Sequence, residues 1–353
     1  MRAAVILGAG SWGTTLALHL DRLGTATTLW EVDPARAAEV RETRLSLPFV
    51  PDHPLPPSIE VTADLESAVR TARILVIAVP SHVLRPVGER LRGFSAFEPV
   101  GQGPAPGAPG ATSPAPARLW ISATKGIEEG SGMTPRQVLG AAAGIAIERI
   151  VVLAGPSFAV DVAAGRPTAV LAAAGDAACA AQAQQLFSCD SFRVYTSDDP
   201  LGVEIGVSLK NVIAIAAGLA EGLGLGRNAL GALVTRGLAE IARLGVRLGA
   251  RAETFLGLAG IGDLVITCTS PLSRNYRVGL GLARGATLEQ ILDELQMVAE
   301  GVRTCRSARE LARQLGVELP ITEQIHAVLF EGKHPRDAVL ELMRRPLKAE
   351  SGE

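Results

Sequence analysis

Lys210 is the only ionisable side chain between Glu204 and Glu221, and it sits in the run Ile205-Gly-Val-Ser-Leu-Lys-Asn-Val-Ile-Ala-Ile-Ala-Ala-Gly-Leu-Ala220. Wound as a helix, this run is apolar on every side. The neighbours three, four and seven positions away (Val203, Gly206, Val207, Ile213, Ala214, Ala217) offer the ammonium neither a counter-charge nor a wet face. Desolvating an ammonium is expensive unless it is paired or gives up its proton. Lys210 therefore reads as a proton-transfer group facing a cavity. The plainer alternative is a lysine snorkelling outward from a helix end, which two turns of helix on either side disfavour.

Six other constellations could bind rather than react. Gly8-Ala-Gly10-Ser11-Trp12-Gly13 follows a short apolar run and opens an apolar helical pattern. In that setting the first glycine makes a tight turn, the second admits a pyrophosphate to the backbone, and the third lets helix pack on strand. Glu31 ends the next strand pattern, where a carboxylate accepts hydrogen bonds from an adenosine ribose and repels a 2′-phosphate. NAD(H) is therefore expected over NADP(H), with Arg36 as the one nearby cation able to reverse the preference. Lys125, in Ala123-Thr-Lys-Gly126, and the turn Gly155-Pro-Ser157 each follow an apolar strand, the place where open sheets bind anions; Ser157 could equally be a plain helix cap. Asp263 precedes an apolar run, either as an N-cap or as a carboxylate kept for substrate hydroxyls and a lysine. Further on, Arg274 and Asn275 supply the fork and amide expected for a phosphate, unless the arginine is simply at the surface.

The elements that must carry these residues alternate in the first half of the chain. Strands are expected at Ala3–Leu7, Thr27–Trp30, Ile74–Val79, Leu119–Ala123, Val151–Ala154 and Ala169–Ala172, with Phe192–Tyr195 closing the sheet. Most are continuous apolar runs, as in a parallel sheet covered on both faces, so the class is α/β, doubly wound. After Thr196 helical patterns take over: Leu201–Leu223, Ala229–Leu248, Leu288–Leu295, Cys305–Leu315 and Ile321–Leu329. The expected domains are residues 1–196 for the dinucleotide and 197–345 for the substrate, with a tail at 346–353. Within the first, 101–116 reads GQGPAPGAPGATSPAP and is expected to be a mobile surface insertion without chemistry.

Bulk properties narrow the partner. With 34 basic and 36 acidic residues the charge is near neutral, and the basic residues are dispersed, which disfavours nucleic acid or an acidic membrane. Cys179, Cys189, Cys268 and Cys305 are scattered without ligand spacing, fitting a reducing cytoplasm, and no metal is expected. No apolar run is expected to span a membrane. A hydrolase triad of Ser157, Asp263 and His326 has the right chain order, but Ala159 replaces the usual final glycine and such an enzyme has no use for the amino-terminal glycines.

Taken together, the motifs resemble the bacterial NAD(P)-dependent glycerol-3-phosphate dehydrogenases. The resemblance rests on GAGSWGTTLA (8–17), VPSHVLR (79–85), ATKGIE (123–128), GPSFAVDVAAGRPTAV (155–170), FRVY (192–195), GVSLKNVIAIAAGLAEGLGLG (206–226), TRGLAEIARLG (235–245), GLAGIGDLVITCTSPLSRN (257–275) and VAEGVRT (298–304), collinear over almost the whole chain. It implies a Rossmann-like, mainly parallel sheet followed by an all-helical domain, and interconversion of sn-glycerol 3-phosphate and dihydroxyacetone phosphate in the supply of glycerophospholipids. By resemblance Lys210 is the proton acceptor and Lys125 binds cofactor and substrate. Gly155, Ser157, Asp263, Ser273, Arg274 and Asn275 match positions that bind glycerol phosphate; Ser11, Trp12, Ala159, Arg274, Val298 and Glu300 match cofactor contacts. A homodimer is compatible with the resemblance. Family members often carry a basic residue where this chain has Glu31-Val32. Two competing readings are a 3-hydroxyacid or 6-phosphogluconate dehydrogenase sharing the buried Lys-Asn helix, and an NAD(H)-sensing protein without turnover, for which a desolvated base would have no use.

Overall fold

The structure is a computed structural model that describes residues 3–70, 72–92, 118–295, 298–347 and 349–350. The insertion expected at 101–116 lies outside these residues. The chain divides into two compact units, Met1–Glu128 with Met133–Glu204, and Glu129–Gly132 with Ile205–Glu353.

The first unit alternates strand and helix: β1 (Ala3–Leu7), α1 (Ser11–Arg22), β2 (Ala26–Trp30), α2 (Pro34–Thr43), β3 (Glu60–Thr62), α3 (Leu65–Arg70), β4 (Ile74–Ile77), α4 (Leu84–Arg92), β5 (Leu119–Ser122), α5 (Pro135–Ala143), β6 (Ile150–Ala154), α6 (Ala159–Ala163), β7 (Thr168–Ala173), α7 (Ala177–Phe187) and β8 (Phe192–Ser197). The strands form one sheet in the order β3-β2-β1-β4-β5-β6-β7-β8, parallel throughout except where β7 runs antiparallel to β6. The first six strands thus follow the doubly wound order whose direction of progress reverses between β1 and β4. Alternating side chains feed two cores. Ala4 and Ile6 pack with Leu16, Leu20, Val162 and Ala180 from α1, α6 and α7; Val5 and Leu7 pack with Leu65, Leu84 and Val138 from α3, α4 and α5. Both faces are covered, which is why the strands read as unbroken apolar runs. β3 escapes sequence reading because only Val61 of its three residues is buried. β4 ends at Ile77, two residues before the expected Val79.

Among its described residues the second unit is helical: α8 (Pro200–Gly222, beginning in the first unit), α9 (Gly226–Arg247), α10 (Asp263–Thr269), α11 (Arg274–Ala283), α12 (Leu288–Leu295), α13 (Glu300–Leu315), α14 (Pro320–Phe330) and α15 (Pro335–Met343). Every residue of α8 from Gly202 to Ala220 is buried. Close approach of neighbouring backbones is permitted by glycine: a Cβ on Gly218 would lie 1.9 Å from the carbonyl oxygen of Tyr276, and one on Gly279 would lie 1.9 Å from that of Ile215, so α8 and α11 cross backbone to backbone. The expectation that no run is long enough to span a membrane needs one correction. At 23 residues and a mean hydropathy of 1.6, α8 is long and apolar enough, but its most apolar window is wholly buried in protein. It is a core helix, apolar all round because protein surrounds it.

Candidate active site

In the first unit, four of the expected binding segments reach the same edge of the sheet, because β1, β2, β5 and β6 all run in one direction. Along that edge lie Glu31 after β2, Gly8–Gly13 after β1, Lys125 after β5 and Gly155–Ser157 after β6. Four inter-strand steps separate the first from the last, roughly 19 Å at the usual strand spacing, a span suited to an extended dinucleotide.

The glycine turn is built as its sequence demands. Gly8 has φ +110°, a left-handed conformation that disfavours a side chain, and its N–H donates to the Trp30 carbonyl at 3.0 Å. A Cβ on Gly13 would fall 1.9 Å from the Gly8 carbonyl oxygen, whereas one on Gly10 would meet nothing within 4 Å. The outcome is a bare backbone turn at the amino end of the twelve-residue α1, whose first N–H groups have no partner within the helix. This open cradle fits a pyrophosphate. Ser11 and Trp12 open α1; Ala159 opens α6, and its carbonyl accepts from Thr15 Oγ1 at 3.3 Å, which ties α6 to the first turns of α1.

Lys125 is held in a turn pinned on both sides. Thr124 Oγ1 donates to the Val79 carbonyl at 2.8 Å, and Glu128 takes a two-pronged bond from Arg85, at 3.0 Å from Nε and 2.7 Å from Nη2. Gly155 has φ +145°. Ser157 does not cap a helix, since Phe158 is the N-cap of α6; its hydroxyl donates to the Gly155 carbonyl at 3.0 Å.

In the second unit, Lys210 is 5% exposed and Asp263 1%, and the two form an ion pair between Nζ and Oδ1. The counter-charge missing from α8 itself comes from α10. Lys210 Nζ also donates to Thr267 Oγ1 at 3.0 Å, and that hydroxyl donates to the Asp263 carbonyl at 2.6 Å, one helical turn back. Snorkelling is excluded by the burial of α8 on both sides of the lysine. Asp263 is not an N-cap either: Gly262 occupies that position, at the end of a π-helical stretch, Leu258–Gly262, with non-helical backbone at Gly260. The second carboxylate oxygen of Asp263 is buried without a hydrogen-bond partner, which is costly unless a ligand supplies a donor. Lys210 retains one N–H beyond its two partners. Beside the pair, burial pushes the Cys268 thiol up to about 12, so it is not a nucleophile at neutral pH.

The remaining expected residues of this unit gather at the start of α11 and α13. Ser273 is the N-cap of α11, its Oγ accepting from Tyr276 N at 3.2 Å. Arg274 is not a free surface arginine: Nη1 donates to the Val298 carbonyl at 2.8 Å, and burial lowers its pKa while Glu300 opposes the change. Arg274, Val298 and Glu300, all expected to touch cofactor, are thereby brought together. Asn275 Oδ1 accepts from Gly301 N at 3.0 Å. A Cβ on Gly301 would come within 2.7 Å of both that oxygen and the Asn211 carbonyl, so the start of α13 is wedged between the residue after Lys210 and Asn275.

Sequence reasoning missed Thr267 and Gly301. The signal for Thr267 was its spacing, one turn beyond Asp263 on the same helix face. Gly301 left no signal. The hydrolase alternative fails on geometry, because His326 is engaged with Arg309 and Glu331 while Asp263 is committed to Lys210.

The chain matches the family models described as NAD-dependent glycerol-3-phosphate dehydrogenase N-terminus, over residues 3–180, and C-terminus, over residues 199–340. The chain belongs to the NAD(P)-dependent glycerol-3-phosphate dehydrogenase family. A glycerol-3-phosphate dehydrogenase [NAD(P)+] of Geobacter sulfurreducens is 49% identical over 346 residues, covering 98% of both chains. One of Anaeromyxobacter dehalogenans is 47% identical over 98% of this chain and 99% of its own. Among solved structures, the glycerol-3-phosphate dehydrogenase of Coxiella burnetii superposes with a TM-score of 0.87 at 35% identity, covering 98% of this chain and 99% of that one. Membership makes this chain an NAD(P)-dependent oxidoreductase, as its first-unit turn and sheet order led one to expect.

Proposed function

We propose that the chain interconverts sn-glycerol 3-phosphate and dihydroxyacetone phosphate, with Lys210 as the proton-transfer residue, and so supplies the backbone of glycerophospholipids. The observation that carries this reading is the buried Lys210–Asp263–Thr267 cluster with its unpartnered carboxylate oxygen. Bound nicotinamide would supply hydride transfer at C2 of the substrate. In the reductive direction Lys210 gives a proton to the oxygen that becomes the hydroxyl; in the oxidative direction it takes that proton. Asp263 holds the ammonium by Oδ1 and leaves Oδ2 for a substrate hydroxyl, while Thr267 fixes the direction of Nζ. Lys125 contributes positive charge that steadies the developing alkoxide and binds cofactor and substrate. Gly155, Ser157, Ser273, Arg274 and Asn275 bind the glycerol phosphate.

For the cofactor, Gly8, Gly10, Ser11, Trp12 and Gly13 hold the pyrophosphate end and Glu31 the adenosine ribose, which supports a slight preference for NAD(H). Ala159, Arg274, Val298 and Glu300 complete the cofactor contacts. A cytoplasmic homodimer is the assembly we favour. Oxidation of NADH by dihydroxyacetone phosphate, run beside NADPH, tests substrate and cofactor together: no turnover with either, or activity on 3-hydroxyacids instead, would displace the reading.

A further inference from the structure

Glu31 is not alone at the end of β2. Its carboxylate lies 3.4 Å from Arg36 Nε, and its other oxygen accepts from Asp33 N at 3.2 Å. Arg36, on the first turn of α2, stacks its guanidinium 4.4 Å from the centre of the Phe49 ring and donates from Nη2 to the Leu47 carbonyl at 3.3 Å. These are long contacts for a guanidinium with five donors, and Nε itself makes no hydrogen bond. The second carboxylate of this turn, Asp33, is spent on capping α2 through Ala35 N at 2.9 Å. The segment bearing Leu47 and Phe49 is in turn fixed to the glycine turn: Ser46 Oγ donates to the Ala9 carbonyl at 3.0 Å, and Thr14 Oγ1 donates to Ser46 Oγ at 3.1 Å. Arg36 is therefore positioned relative to the pyrophosphate cradle by an aromatic face, with its hydrogen-bonding capacity largely unspent.

We propose that Arg36 is the residue through which this chain admits NADP(H): it leaves Glu31 and pairs with the 2′-phosphate while still stacked on Phe49. This rests on the reading that places the adenosine ribose at Glu31. With NAD(H), Glu31 takes the ribose hydroxyls and Arg36 offsets its charge. With NADP(H), a group of about −1.5 to −2 charge arrives, and the planar fork meets it with two parallel bonds. Val32, the adjacent side chain, is 61% exposed and has nothing to offer an anion, so the cation must come from α2.

Calorimetric titration of the full chain with NADP+, NAD+, 2′,5′-ADP and 5′-AMP tests this without turnover. Arg36→Ala should raise the ratio of the NADP+ to the NAD+ dissociation constant at least tenfold, with the same change in the 2′,5′-ADP to 5′-AMP ratio. Arg36→Lys should recover part of it, since it keeps charge without the fork. Equal weakening of both nucleotides would make Arg36 a mere prop for the Phe49 segment and overturn the proposal, as would an unchanged ratio or a wild-type chain blind to the 2′-phosphate. Glu31→Gln separates the two ideas. If it leaves NAD+ affinity untouched, the ribose is not at Glu31 and the underlying reading fails. A wild-type preference for NADP+ would refute only the NAD(H) bias.

Discussion

The nucleotide edge of the first unit and the polar cluster of the second differ in what they are made of. The first is built from backbone: a left-handed Gly8, a Gly13 with no room for a Cβ, and strands that deliver their following turns to one edge. The second is built from side chains on α8, α10 and α11, distant in sequence, that meet one another and the backbone at the start of α13 only when those helices pack. The backbone site tolerates no Cβ at Gly8 or Gly13; a side-chain site tolerates backbone adjustment but no lost charge.

The largest effect should separate the two sites by what each is needed for. Lys210→Met is expected to lower kcat for dihydroxyacetone phosphate reduction by ~10²–10⁴-fold, the usual worth of a positioned acid or base, while NADH affinity by fluorescence titration stays near wild type. A comparable loss of NADH affinity would mean that the contrast is false. Conversely, Gly13→Ala forces a Cβ against the Gly8 carbonyl and should abolish nucleotide affinity or folding, detected by the same titration beside circular dichroism.

Stability should respond most to breaking the buried pair. Asp263→Ala leaves an uncompensated ammonium and is expected to destabilise by roughly 3–5 kcal/mol in denaturant unfolding, whereas the double change Asp263→Ala with Lys210→Met should recover much of that loss. Failure of the double variant to recover would show that the cost lies in the carboxylate's other neighbours.

Each unit also contains a buried glutamate that ties elements together, and these should behave alike. Burial pushes the Glu204 carboxyl, beside the Arg136 N–H at 2.7 Å, up to about 7. It pushes Glu240, which accepts from Ile321 N at 2.5 Å and Thr322 N at 3.2 Å, up to about 7 as well. A folded-state value above the ordinary 4.5 means that the native state holds the extra protons between those limits. Stability is then fully present below about pH 4.5 and falls as pH rises through about 7, by roughly 3 kcal/mol for each group. Glu204→Gln and Glu240→Gln should each flatten the dependence, read from urea midpoints across pH 5–8; a flat wild-type profile would refute the shared behaviour.

The smallest expected effect is at Thr267→Val. Losing a hydrogen bond to a charged group costs ~1.5–3 kcal/mol, so kcat should fall by roughly one to two orders of magnitude at most while the substrate KM changes little. An unaltered kcat would remove Thr267 from the orientation of Lys210.

Most of the fold was legible because its signals are local. Apolar runs marked seven of the eight strands among the described residues, and the β3 omission reflects a strand with one buried side chain. Long helical patterns marked α8, α9, α12, α13 and α14, whereas α10, α11 and α15, at seven, ten and nine residues, went unassigned as helices. In the site, Lys210 stood out because an isolated charge in an apolar helix is anomalous in any context, and Gly8, Gly10 and Gly13 stood out because their spacing is itself the geometry.

By itself, then, the sequence determined that an amine would be buried and that a glycine turn would open a helix after the first strand, since both follow from hydrophobicity and sterics over a few residues. Only tertiary structure decided that the carboxylate facing Lys210 is Asp263, 53 positions away and steadied by Thr267, and that Arg36 rests on Phe49 beside Glu31. Electrostatic partners act through space over a few ångströms, and distance along the chain does not record which helix will supply them.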